Sequence, residues 1–204
     1  MSERNTIART MHDVGLAAWF GGSLMGAIGV NGAAADVDDP RQRARVANAG
    51  WGRWTPINLA AIGAHLVGGA QLVRANRDRI DQQKGVAGMT AVKTLLTGAA
   101  LGATGYSRIL GQKIMSAGDV PVAGGTSPLP TTPPEVASAQ KQLKALQWAI
   151  PGLTGGIIGL GAYAGEQQRP SQVRKGKLGR AGQLAKAASV AGAAKTVGLI
   201  KSDD

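Results

Sequence analysis

The sequence predicts an all-α fold, an integral membrane bundle of about four glycine-rich transmembrane helices followed by a basic C-terminal tail. Three observations carry this reading. Four apolar runs of about 20 residues are each long enough to cross a hydrocarbon core at 1.5 Å per residue. Glycine occupies 31 of 204 positions, without the every-third-residue period of collagen, and many of these glycines lie inside the apolar runs. One Phe, two Tyr and four Trp are too few large side chains for an ordinary soluble core. The mean hydropathy of −0.03 is low for such a protein because the tail and the segment between Ile114 and Gln147 dilute the apolar runs. The expected organisation is a four-helix membrane domain over 1–166, with helices at about 14–35, 54–73, 85–107 and 147–165 and a Pro/Gly-rich loop over 116–134. A basic cytoplasmic tail follows over 167–204.

The first run lies uncharged between Asp13 and Asp36. A secretory signal peptide is its rival, with Arg4 and Arg9 before an apolar region and Ala33-Ala34-Ala35 as a cleavage site. Asp13 against the apolar run and the glycines within it favour a membrane helix. From Asp36 to Arg53 the chain turns polar, and Asp38 or Asp39 can cap a short helix opening at Pro40. Trp51 and Trp54 then suit the headgroup zone, where indoles concentrate. The second span ends at Arg74, and a charged connection leads to the third, which Lys93 interrupts. After Ile114, prolines and glycines describe an extended or irregular loop. Thr132 can cap a helix restarting at Pro133 or Pro134. The fourth run lies uncharged between Lys144 and Glu166, with Pro151 as a kink or a start.

Charge placement sets the expected orientation. With both termini cytoplasmic, fourteen Lys and Arg fall inside and eight outside, which is the direction the positive-inside rule requires. The expected location is the cell inner (plasma) membrane. Arg169, Arg174, Lys175, Lys177, Arg180, Lys186, Lys195 and Lys201 supply much of the net charge of +11. The tail lacks aromatic residues to stack bases, which argues against nucleic acid, and its cations suit the anionic leaflet, where each is worth about 1 kcal/mol.

Each span places small residues on one face, among them Gly15, Gly22 and Gly26, then Gly98 and Gly102, then Gly155 and Gly159. Lipid gives helices little hydrophobic reason to associate, so close backbone approach at small residues supplies the packing. His12 and His65, the two histidines, are the candidate cofactor ligands, as imidazoles on neighbouring helices can hold a haem iron. Counted from Arg9 and Arg74, however, they lie at depths differing by roughly 10 Å at 1.5 Å per residue, which argues against it. Lys93 lies near the depth of His65, and an ammonium there either snorkels or finds a carboxylate. An intramembrane polar cluster of Asp13, His65 and Lys93, with an Asp13–Lys93 ion pair, is the alternative to snorkelling. With no cysteine, no phosphate-binding loop, no GxSxG and no HExxH, no catalytic residue, metal or cofactor is expected.

The opening residues His12, Gly15 and Trp19-Phe20-Gly21-Gly22 resemble the first helix of small four-helix bacterial membrane proteins of the copper-resistance D and transmembrane-205-like groups, where a histidine precedes a Trp-x-Gly pattern. The resemblance covers about the first 25 residues and the helix count. It implies a bacterial source, in keeping with the Ala, Gly and Arg usage. The Pro-rich connection and basic tail depart from the pattern, so no copper or metal role is carried over. The expected function is a non-catalytic accessory or assembly subunit, with the lipid bilayer, other membrane subunits or a second copy as partners. The alternative is a small transporter or redox carrier using the polar cluster.

Overall fold

The computed structural model describes residues 5–166, 169, 171, 173, 174 and 178–187. Helix α1 (Thr6–Met25), a π-helical turn (Gly26–Val30) and α2 (Asn31–Ala35) form one rod, followed by α3 (Arg43–Ala75), the short α4 (Arg77–Gln82), α5 (Val86–Ser116), strands β1 (Val122–Gly124) and β2 (Ser127–Pro128), and α6 (Pro134–Glu166). Four of these segments, of 30, 33, 31 and 33 residues, are long and apolar enough to cross a membrane. The protein is an all-α, multi-pass membrane bundle.

The helices outrun the apolar windows. Helix α3 begins at Arg43 rather than near Trp54, and α5 runs to Ser116 rather than about residue 107. The helix expected to restart at Pro133 or Pro134 does begin at Pro134, but it continues unbroken through the fourth span as α6 rather than leaving a separate span from about residue 147. The added turns are rich in Ala, Arg, Gln and Lys, good helix formers whose polarity ends the apolar window without ending the helix. Thirty-three residues rise about 50 Å, well beyond a hydrocarbon core of about 30 Å. The excess on α3, α5 and α6 therefore stands beyond the apolar layer. Asp39 accepts the Arg41 N–H at 2.9 Å, capping a turn before α3 rather than a helix at Pro40.

The chain divides into two compact units. The first comprises residues 1–75 and 93–159, the second 76–92 and 160–204. In the first, Leu16 and Trp19 of α1, Ile62 of α3, Ala100 and Ala103 of α5, and Ile150 and Ile157 of α6 form one apolar core. A second core joins α5 and α6 through Leu110, Ile114, Val136, Ala139 and Leu143. Beside these apolar cores, the outside is also strongly aliphatic and the inside includes polar side chains. Val14, Ile28, Ile57, Leu59, Leu95 and Ile109 are exposed, while Ser23, Asn58, His65, Gln140, Gln147 and Thr154 are buried. Exposed aliphatic side chains in such number suit a lipid exterior, where burying them inside would gain little.

The Pro/Gly-rich segment is packed, which corrects the expectation of an irregular loop. Strands β1 and β2 pair antiparallel, Val122 opposite Pro128 and Gly124 opposite Ser127. Val122, Thr126 and Thr132 are buried. Gln140 Nε2 donates to the carbonyls of Gly124 at 2.9 Å and Gly125 at 3.3 Å, while Arg43 donates from Nε to Val37 O and from Nη1 to Ala123 O. These long side chains satisfy loop carbonyls that a two-stranded ladder leaves unpaired. Thr132 likewise ties the loop, donating to Pro121 O and accepting from Leu129 N, instead of capping α6.

In the second unit, Arg169 pairs with Glu166 at 3.0 Å, and residues 178–187 are helical with Leu178 and Leu184 exposed. The tail residues Lys175, Lys177, Lys195 and Lys201 lie outside the described residues.

Candidate functional site

The first unit holds two polar groups of side chains with an apolar layer between them. One is a clasp between α1 and α3. The sequence Ala8-xxx-His12-xx-Gly15 on α1 recurs as Ala61-xxx-His65-xx-Gly68 on α3, and the structure brings the two copies together as mutual images. His12 Nδ1 donates to His65 O at 3.0 Å, and His65 Nδ1 donates to His12 O at 3.0 Å. The rings stack with centroids 4.1 Å apart and planes 19° from parallel. A carbonyl only accepts, so in each neutral ring the proton is on Nδ1. A Cβ on Gly15 would strike Ala61 O and come within 2.7 Å of His65 N, and a Cβ on Gly68 would strike Ala8 O and come within 2.6 Å of His12 N. Both glycines are needed for the backbones to approach this closely. No repeat of short period marks this relation; the signal in the sequence is the matched Ala, His and Gly spacing.

The clasp revises the expected depths: the two histidines are level. The geometry still does not suit haem ligation. Axial imidazoles approach one iron from opposite sides, whereas these rings lie face to face with both Nδ1 atoms engaged by backbone. Lys93 is half-buried and lies within electrostatic range of Asp13, Arg9, His12 and His65. Asp13 is exposed, and it makes no ion pair within 4.0 Å with Lys93, unlike Arg45 with Asp119 or Arg169 with Glu166. The expected Asp13–Lys93 pair is therefore a longer-range attraction rather than a direct ion pair.

Above the clasp Trp19 is fully buried. Its edge meets His65 at a centroid distance of 6.2 Å and its Nε1 donates to Thr104 Oγ1 at 3.2 Å. Beyond it lies a partly open cavity of about 160 Å³, lined both by the extended parts of the helices and by residues of the apolar spans such as Asn58, Ile62, Thr104 and Ile150. Trp51 and Trp54 line it. Their rings fill the space over glycines of the first rod, Trp54 on Gly22 and Trp51 on Gly26, so the indoles face inward rather than joining a headgroup belt. Trp148, 51% exposed, is the indole placed outside. Trp51 Nε1 donates to Asn31 Oδ1 at 3.1 Å, and Asn31 Nδ2 donates to Gln147 Oε1 at 2.6 Å. Asn31 directly follows the π-helical turn, a backbone irregularity that recurs at functional sites. Three side-chain atoms in this lining are buried without a hydrogen-bond partner: Trp54 Nε1, Asn58 Oδ1 and Ser107 Oγ. Among the expected site residues only the glycines that seat the indoles adjoin this cavity. Asn58 was visible in the sequence as a polar residue in a span, but the residues that share its cavity were not.

The glycines separate into two classes. Gly15, Gly22 and Gly26 are closely approached by α3, and Gly155 by the Phe20 ring at 3.2 Å. Among the described residues nothing lies within 4 Å of a Cβ built on Gly98, Gly102 or Gly159, so these glycines do not pack against the described helices as expected. On α5 they continue through Gly105, and the same face exposes Leu95 and Ile109. This leaves an outward strip of small and aliphatic residues. No protein-family model, curated protein or solved structure matches the chain.

Proposed function

We propose that the protein is a non-catalytic accessory or assembly subunit of the cell inner (plasma) membrane, packing through α5 against a transmembrane helix of another membrane protein or of a second copy. The observation that carries this reading is the outward strip Gly98, Gly102 and Gly105, empty within 4 Å, on a helix that also exposes Leu95 and Ile109. Glycine in an exposed helix interior costs about 0.5–1 kcal/mol relative to Ala. In lipid its compensation is close contact with another helix. The balance of Lys and Arg supports both termini in the cytoplasm, with the tail on the anionic leaflet. Gly102→Leu tests the reading. Gentle extraction of the full-length protein should yield a larger assembly, and this variant should break it while leaving monomer stability unchanged. An assembly that persists in the variant, or a wild-type protein that extracts as a lone particle, refutes the proposal.

A second reading, a small transporter or redox carrier, is favoured by one observation. Polar groups lie on both sides of the Trp19 layer, and Trp19 touches both, through the His65 ring and the Thr104 hydroxyl. Proton or solute flux in sealed proteoliposomes that is abolished by Trp19→Ala would support it; flux no higher than in empty vesicles would dismiss it.

A further inference from the structure

The cavity beside Trp51 and Trp54 has walls of two kinds. Leu59, Ile62, Leu143 and Ile150 are its aliphatic lining residues, and Asn58, Ser107 and Trp54 are polar lining residues whose unpartnered atoms are buried beside the cavity. Asn58 is 8% exposed, and its Oδ1 is left without a partner, as are Ser107 Oγ and Trp54 Nε1. Buried polar atoms are almost always hydrogen-bonded, so three unpartnered atoms on residues around one cavity point to a site that can hydrogen-bond a guest. Their chemistry is complementary. An indole N–H only donates, an amide oxygen only accepts, and a hydroxyl does either. Trp54 and Asn58 are four residues apart on α3, hence on one face and one turn from each other, while Ser107 comes from α5. A single hydroxyl or amide group both donates and accepts, as this set requires. Among the described lining residues Arg108 is the one charged group and no carboxylate is present, which disfavours a cationic guest. Cavities of about 150 Å³ hold a benzene-sized guest, so the 160 Å³ here admits a small organic molecule as well as water.

We infer that this cavity is a binding site for a small neutral amphiphile of about six to nine non-hydrogen atoms, with its apolar body against the aliphatic and indole walls and its hydroxyl or amide end on Asn58, Ser107 and Trp54. Such a ligand comes from the bilayer or the aqueous boundary, and its class is independent of the accessory role proposed above. The π-helical turn and the glycines under the indoles shape the site, since a Cβ at Gly22 or Gly26 would displace the ring resting there.

The test uses the full-length protein in lipid nanodiscs and the photoactivatable alcohol 3-azi-1-butanol, which is within the size the cavity admits, with labelled residues located by mass spectrometry. Label is expected on α3 and α5 around Asn58 and Ser107. Unlabelled 1-octanol should protect these positions at about one-tenth the bilayer concentration needed for octane, because one or two buried hydrogen bonds are worth about tenfold. Octylammonium should do no better than octane. In Asn58→Leu, which keeps the apolar volume, and separately in Ser107→Ala, the preference for octanol should fall to about threefold or less, with helical content by circular dichroism unchanged. Labelling that avoids the cavity, equal protection by octane or octylammonium, or an undiminished preference in the Ser107→Ala variant would overturn the inference. Loss of assembly in Gly102→Leu bears on the accessory role alone.

Discussion

Gly15→Ala is expected to weaken the fold by about 2–5 kcal/mol, and the figure follows from the clasp. An added methyl would strike Ala61 O, lie 2.7 Å from His65 N and 3.2 Å from His65 Cα, all backbone atoms that cannot turn aside. Helices α1 and α3 must part by several tenths of an ångström. Overpacking of this kind costs about 1–3 kcal/mol. Parting the helices also lengthens the two reciprocal imidazole–carbonyl bonds, each 3.0 Å in the native state, and buried hydrogen bonds between membrane helices contribute about 0.6–1.7 kcal/mol each. Because Gly68 occupies the equivalent place opposite His12, Gly68→Ala should cost nearly the same. The double variant should cost less than the sum, as both methyls open one contact. Gly98→Ala is the control: with nothing within 4 Å of its Cβ, it should be neutral or stabilise by up to about 1 kcal/mol through helix propensity. The assay is reversible unfolding by SDS titration in mixed micelles, followed by Trp fluorescence. A loss below about 1 kcal/mol for Gly15→Ala, or an equal loss for Gly98→Ala, would refute the reasoning.

Two further outcomes follow from the loop and the indole network. Gln140→Leu removes the donor to Gly124 O and Gly125 O; about 1–3 kcal/mol is expected from the orphaned carbonyls, and Gln140→Glu should be worse because a carboxylate would face them. Limited proteolysis of the hairpin checks this, and cleavage no faster than wild type in both variants would contradict it. Asn31→Leu orphans Trp51 Nε1 and Gln147 Oε1, so SDS titration should read a loss of about 2–4 kcal/mol; an unchanged midpoint would mean the network contributes no stability.

Composition and hydropathy, by themselves, determined the four spans and the all-α class. The reason is that in hydrocarbon every backbone group must be paired within its own segment, which leaves a charge-free run of about 20 residues with one choice. Where polar helix formers flank the run, hydropathy marks the edge of the apolar layer and not the end of the helix, so α3 and α6 begin about a dozen residues earlier than their apolar windows. The small-residue stripes were also legible, but not their use. Gly15 and Gly98 look alike in the sequence, and only tertiary contact separates a glycine pressed on the His65 backbone from one facing outward. Linear depth counting misplaced His12 and His65 because the helices run further than the apolar windows and are offset along their axes, a relation that no single helix encodes. The Pro/Gly-rich segment read as irregular because its order comes from Arg43 and Gln140, far away in sequence. The cavity is likewise a product of four helices: Asn58, Ser107 and Trp54 are unremarkable where they stand in the chain, and become a hydrogen-bonding set only when α3 and α5 face each other.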